Sequence, residues 1–130
     1  MRATDVATRF TARINGHDVS GLSELMTDDH VFVDALDSRI SGRGATRLAW
    51  EQYFKLVPDY WVKVEQTFEN PPHVALFGSA GGTYAEGSSG QGAWRVPAAW
   101  LAEVRDGKVA LWRVYADNLP LRKLMGLECG

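Results

Sequence analysis

His30-Val31-Phe32-Val33-Asp34-Ala35-Leu36 reads as a β-strand with two apolar faces. Val31, Val33 and Ala35 fall on one face, and Phe32 and Leu36 on the other, because side chains alternate along a strand. A strand that is apolar on both faces is covered on both. The cover has to come from the sequence on either side. Asp34 shares the face of Phe32 and Leu36 and is the one charge set between apolar neighbours.

Upstream the cover is helical. Val6, Phe10 and Ile14 stand four apart with Ala3 and Ala7 beside them, which predicts a helix over 3–14. Asn15-Gly16 ends it in a left-handed cap. Asp18 caps a second helix carrying Leu22, Leu25 and Met26, closed by Thr27-Asp28-Asp29. Downstream, Ser41-Gly42 opens a third helix with Ala45, Leu48, Ala49, Tyr53 and Leu56 as its apolar stripe, and Pro58 stops it. Tyr60 to Glu69 alternates as a half-exposed strand, with Val62, Val64 and Phe68 on one face and Lys63, Glu65 and Thr67 on the other. His73 to Tyr84 is a strand whose Gly78, Gly81 and Gly82 mark bends or bulges. Glu86 to Gly92 is a polar loop. Trp94 to Arg105 and Lys108 to Ala116 are two strands joined at Asp106-Gly107, and Leu119 to Met125 a short closing helix. Helices gathered early and strands joined by short turns predict an α+β fold with a largely antiparallel sheet.

The totals exclude several functions. A chain of 130 residues is the size of one domain, taken as 1–130. Its 14 basic and 16 acidic residues are well mixed, so no basic face points to nucleic acid and no polybasic stretch to a membrane. One cysteine, Cys129, asks for no oxidising compartment. With no leader-like or membrane-spanning apolar run, the expected location is cytoplasmic. His17, His30 and His73 have no metal-ligand spacing, and His30 is expected at a solvent-exposed strand end. No phosphate loop, dinucleotide fingerprint or nucleophile elbow is present, so neither metal nor cofactor is expected. The five tryptophans, at positions 50, 61, 94, 100 and 112, read as core fillers or as cavity walls.

Several short motifs, in order, resemble the NTF2-like superfamily and its SnoaL-like branch of polyketide cyclase and ketosteroid-isomerase-like proteins. They are Ile14-Asn15-Gly16-His17-Asp18, Val31-Phe32-Val33-Asp34, Gly42-Arg43-Gly44, Pro58-Asp59-Tyr60 and Trp112-Arg113-Val114-Tyr115-Ala116-Asp117. The resemblance implies a cone of three helices packed on a curved sheet around a pocket, and a homodimer. It implies no single activity, since one scaffold hosts many.

Asp34 is the candidate catalytic residue. A carboxylate between Phe32 and Leu36 is partly desolvated, and burial raises a carboxyl pKa toward the range of a general acid or base. The resemblance agrees, because ketosteroid-isomerase-like members carry their proton-shuttling aspartate there. The other reading is a strand-end aspartate bonded to loop backbone or paired with Arg39 or Arg43. The isomerase's oxyanion donors correspond to Phe10 and Trp100, of which the first donates nothing. Losing one such donor costs about 10²-fold in rate or more, so that isomerisation is not expected. The Asp-Arg-Asp relay of the epoxide hydrolase members is missing too. Its last aspartate falls at Val114, and its Arg-x-Asp falls within Gly81 to Tyr84.

The facing of the last two strands depends on the Asp106-Gly107 turn. A two-residue type I′ turn pairs Trp100 with Arg113 and Ala98 with Tyr115. A three-residue turn with a glycine bulge pairs Trp100 with Trp112, Ala98 with Val114 and Arg95 with Asp117. The resemblance favours the second, which turns Val96, Ala98, Trp100, Trp112 and Val114 inward. Arg95, Arg113, Tyr115 and Asp117 then form an outer face, which the resemblance implies meets a partner subunit. The inferred pocket is walled by Phe10, Ile14, Phe32, Trp50, Tyr53, Val96, Ala98, Trp100, Trp112 and Val114, with Asp34 as its polar group. It suits a small apolar molecule, bound with or without lyase, isomerase or cyclase chemistry at Asp34.

Overall fold

The computed structural model describes residues 2–83 and 93–117. Helix α1 spans Ala3–Asn15 and turns Val6, Ala7, Phe10 and Ile14 inward, as the four-residue spacing requires. The left-handed residue after it is His17, at φ 51°, and not Gly16. Asn15 does more than end the helix. Its side chain donates to the Val62 carbonyl at 2.9 Å and accepts from the Val62 N–H at 2.8 Å, so it ties α1 to the sheet like one more strand residue.

Helix α2 spans Val19–Glu24, with the Asp18 side chain accepting from the Gly21 N–H. It is shorter than its apolar spacing suggests. Strand β1 takes over at Met26 and runs to Val33, so Thr27-Asp28-Asp29 belongs to the strand and does not close the helix. The earlier start places His30 inside β1, where it is fully buried instead of exposed at a strand end. The strand stops before Asp34. Leu36 is then 60% exposed, so it shares no buried face with Phe32. A short strand β2, Arg39–Ser41, folds back on β1, with Val33 opposite Arg39. The sequence reading contained no such strand.

Helix α3 spans Arg43–Leu56 and buries Thr46, Trp50 and Phe54. The stripe is rotated from the expected one, and Leu48 stays 53% exposed. Strands β3 (Trp61–Asn70), β4 (His73–Thr83), β5 (Ala93–Arg105) and β6 (Lys108–Ala116) complete a six-stranded sheet in the order β2-β1-β6-β5-β4-β3. Only β1 and β6 run parallel; the other neighbours are antiparallel. Among the described residues this is a curved, open α+β sheet with three helices. No helix of the described residues is long and apolar enough to cross a membrane.

Two of the sheet's register shifts decide which side chains face inward. Val64 lies opposite Gly78 and Gln66 opposite Phe77, so Glu65 is an extra residue in β3. A side chain at Gly78 would land on the Lys63 carbonyl, which explains the glycine. The bulge reverses the alternation beyond it. Phe68 therefore leaves the face of Val62 and Val64 and lies 59% exposed on the outside, edge-on to Phe77.

The second bulge follows Asp106-Gly107, whose φ angles of 54° and 75° make a two-residue turn with both residues left-handed. Arg105 pairs with Lys108 and Val104 with Val109, but Glu103 pairs with Leu111, so Ala110 is the extra residue. Trp100 thereby lies opposite Val114, and Ala98 opposite Ala116. Neither expected register is correct in its pairs. The expected inward face survives, because the bulge restores the parity of a three-residue turn. Arg95 lies opposite Gly81 and is not in register with Asp117. The closing helix over 119–125 and the loop over 86–92 lie outside the described residues.

Candidate functional site

Between α3 and the inner face of the sheet lies a cavity of about 290 Å³. Helix α3 supplies Trp50 and Tyr53, one turn apart on its inner side, with Thr46 and Ala49 beside them. Strand β1 adds Phe32, and the turn after it Asp34 and Ala35. Tyr60 enters just before β3, and Trp94, Val96 and Ala98 alternate along β5. Strand β6 closes the wall with Trp112, Val114 and Ala116. Small side chains keep the space open. Ala98 lies opposite both Gly78 and Ala116, and Ala80 opposite Val96, so no large residue on these rows reaches across.

The expected wall is met in part. Phe32, Asp34, Trp50, Tyr53, Val96, Ala98, Trp112 and Val114 line the cavity. Phe10, Ile14 and Trp100 are buried in the core outside it. Phe10 packs on Trp112 at 4.7 Å and on His30 at 6.0 Å, and Trp100 stacks on Trp112 at 6.5 Å. Trp112 is thus the partition between a filled half and a hollow half. Tyr60 and Trp94 line the cavity and were not among the expected wall residues. Inward alternation with Val96 and Ala98 was the signal available for Trp94. For Tyr60 the signal was its place two residues before Val62, on the same face of the alternating segment.

Asp34 sits at the turn rather than on a strand face. Its Oδ1 accepts the backbone N–H of Leu36 at 2.8 Å and of Ser38 at 2.9 Å. Its own N–H donates to the Ser38 carbonyl at 3.0 Å. Both side-chain bonds fall on Oδ1; Oδ2 takes none among the described residues. The carboxylate is held by loop backbone, which was the second of its two sequence readings, and it still lines the cavity. Arg43, one of the suggested partners, pairs instead with Asp28 at 3.0 Å.

The aromatic rings meet at steep angles. Trp50 and Tyr53 are at 87°, Tyr53 and Tyr60 at 85°, and Phe32 and Trp50 at 69°. The Nε1 atoms of Trp50, Trp94 and Trp112 are sealed and have no hydrogen-bond partner among the described residues. What these indoles show the cavity is therefore ring carbon. Burial drives the Tyr53 phenol far above its ordinary 10.0, with Tyr60 adding to the effect, and burial alone does the same to Tyr60. Both stay neutral phenols at any ordinary pH. Among the described residues no lysine, arginine or histidine lines the cavity, and Asp34 is its one charged side chain.

His30 lies behind the wall. Its Nδ1 is 2.7 Å from the Val109 carbonyl, which can only accept, so Nδ1 carries the proton. Burial pushes its pKa below 6.5, opposed by that hydrogen bond and by Asp29. No cluster of potential metal ligands exists among the described residues. On the outer face Arg113 bridges Asp37 at 3.0 Å and lies 5.1 Å from the centre of the exposed Tyr115 ring.

The SnoaL-like domain family model matches residues 7–112. Solved structures agree on the fold. A protein with a ketosteroid isomerase-like fold from Catenulispora acidiphila, in complex with trimethylamine, has a TM-score of 0.82 at 19% identity, covering 95% of this chain and 93% of that one. A SnoaL-like polyketide cyclase-type protein from Jannaschia has a TM-score of 0.82 at 19% identity, covering 98% and 93%. An epoxide hydrolase of the LEH-like type from M. tuberculosis has a TM-score of 0.79 at 21% identity, covering 95% and 90%. No curated protein matches the chain in sequence.

Proposed function

The chain belongs to the SnoaL-like domain family, and on that footing we propose that it binds a small, mainly apolar molecule in the cavity between α3 and the sheet. The observation that carries the reading is the cavity itself, about 290 Å³ with aromatic and alanine walls and, among the described residues, a single fixed carboxylate. Apolar walls with few placed polar groups are the usual make-up of a small-molecule site. Asp34 anchors a ligand hydroxyl or amine, while Phe32, Trp50, Tyr53, Trp112 and Val114 supply the apolar contact. Phe10 and Trp100 act from behind by holding Trp112. The Catenulispora relative, solved with trimethylamine, supports a small ligand in this scaffold.

Proton transfer at Asp34, in a lyase, isomerase or cyclase reaction, is a second reading, favoured by the Oδ2 atom that takes no hydrogen bond among the described residues. Ketosteroid-type isomerisation is not part of it, because Phe10 has no donor and both Phe10 and Trp100 lie outside the cavity. Nor is epoxide hydrolysis, since Val114 stands where the relay needs an acid. The outer sheet face, with Phe68 and Phe77 exposed edge to edge, supports a homodimer.

Five indoles allow a direct test. On titration with 1-naphthol, the ¹⁵N resonances of Trp50, Trp94 and Trp112 should shift while that of Trp61 stays. No shift, or a shift confined to Trp61, would refute binding in the cavity. Asp34→Asn should retain naphthol binding. If a substrate is found, loss of turnover in that variant with binding retained would establish the catalytic reading.

A further inference from the structure

We propose that the ligand of this cavity is a monocation, an alkyl- or arylammonium whose substituted nitrogen sits among the aromatic rings with Asp34 as its counter-charge. The inference rests on the cavity being a binding site and names the chemical class that fits it.

Charge is the first argument. The cavity has one charged side chain, Asp34, and no basic one among the described residues. An anionic ligand would lose its water, gain no basic partner among the described residues and meet a carboxylate of its own sign. A neutral apolar ligand would strip water from the Oδ2 side of Asp34 and offer it no partner, which is costly. A cation answers the charge already there. Asp34 is also fixed in place before any ligand arrives, since its Oδ1 is clamped by the Leu36 and Ser38 N–H groups at 2.8 and 2.9 Å.

Surface is the second argument. An ammonium carrying alkyl groups needs π surface more than hydrogen-bond acceptors, because cations are drawn to the electron-rich faces of aromatic rings. The indoles of Trp50, Trp94 and Trp112 present carbon, their N–H groups being sealed. Burial keeps the phenols of Tyr53 and Tyr60 neutral, so they add π surface and no second negative charge. The rings do not lie in one flat stack. Trp50 and Tyr53 stand at 87°, and Tyr53 and Tyr60 at 85°, so their faces turn in different directions, as in a cage. The remaining small-residue wall, with Ala98 and Ala116 opposite each other, has room for the apolar part of the ligand.

Two probes of nearly equal shape isolate the charge. Phenyltrimethylammonium and tert-butylbenzene differ in a single central atom and its charge. The full chain is titrated with each and followed by the indole resonances and by calorimetry. The cation should bind at least about tenfold more tightly, in line with a desolvated cation–π contact plus a counter-ion. In Asp34→Asn that preference should shrink by roughly tenfold, part of it through tighter binding of tert-butylbenzene, which no longer desolvates a charge. Equal or tighter binding of tert-butylbenzene overturns the cation assignment and leaves the apolar cavity standing. So does binding of 1-naphthol by a protein that takes neither probe. Failure of all three probes overturns both readings. If Asp34→Asn does not fold, the comparison of the two probes on the unaltered protein still decides.

Discussion

The two ends of the inner sheet face are built from the same kinds of residue, yet one is solid and the other hollow. Under α1, Phe10 and Trp100 close on Trp112 with ring centres 4.7 and 6.5 Å away, and all three are essentially buried. Under α3, Trp50, Tyr53 and Tyr60 surround about 290 Å³ of space. The difference lies in where each helix rests. Helix α1 lies directly on β3, β4, β5 and β6, whereas α3 rests chiefly on β1, β2 and α2. Facing α3, the β5 and β6 rows offer Ala98 and Ala116 where filling would need a leucine or larger. Aromatic content alone therefore does not say whether a region is core or cavity. Helix standoff and the small residues opposite decide it.

That contrast can be broken in four ways. The largest effect is expected from Phe10→Ala, which should lower the unfolding free energy by about 3–5 kcal/mol, the usual cost of an aromatic truncation in packed core. Urea denaturation measures it, and a loss under about 1 kcal/mol would mean the α1 half is not solid. Next, Asp34→Ala removes the acceptor of two backbone N–H groups in the turn that lines the cavity. A loss of about 1–2 kcal/mol is expected, because each such bond contributes about 0.5–1.5 kcal/mol. An unchanged urea midpoint would show that the turn does not depend on the carboxylate.

Ala116→Leu probes the hollow half. In packed core an added side chain costs about 1–3 kcal/mol. Here it should change stability by less than about 1 kcal/mol and weaken 1-naphthol binding at least about tenfold, the first read by urea and the second by titration. Marked destabilisation would show the cavity to be filled in solution.

The last and smallest effect concerns pH. Burial holds the His30 pKa below its unfolded 6.5. The unfolded chain then takes up its proton first as pH falls. The stability His30 contributes is complete above that value and lost as pH drops from 6.5 toward the folded pKa. The urea midpoint should fall between about pH 7.5 and 5.5, and His30→Gln should flatten that slope. An equal slope in both proteins would place the acid sensitivity elsewhere.

Helical spacing and β alternation were legible wherever a segment met the core alone. The Val6, Phe10, Ile14 stripe placed α1, and the inward set Val96, Ala98, Trp100, Trp112 and Val114 was identified from alternation and the resemblance. The errors fell where partners override local pattern. Thr27 to Asp29 joined β1 because β6 pairs alongside Met26, and Phe68 changed faces through a bulge at Glu65 that only the opposing Gly78 requires. His30 carries a polar ring that reads as surface, but the Val109 carbonyl satisfies one nitrogen and lets it be buried.

The periodicities of single chain segments determined the fold class, whereas the inner face of the last two strands and most of the expected cavity wall needed the family resemblance beside the alternation. Tertiary structure alone decided which aromatics are wall and which are fill, and that Asp34 is clamped by a turn instead of standing on a strand. Both depend on distances between segments far apart in the chain. A residue's own neighbours in sequence carry no information about how far a helix stands from the sheet it covers.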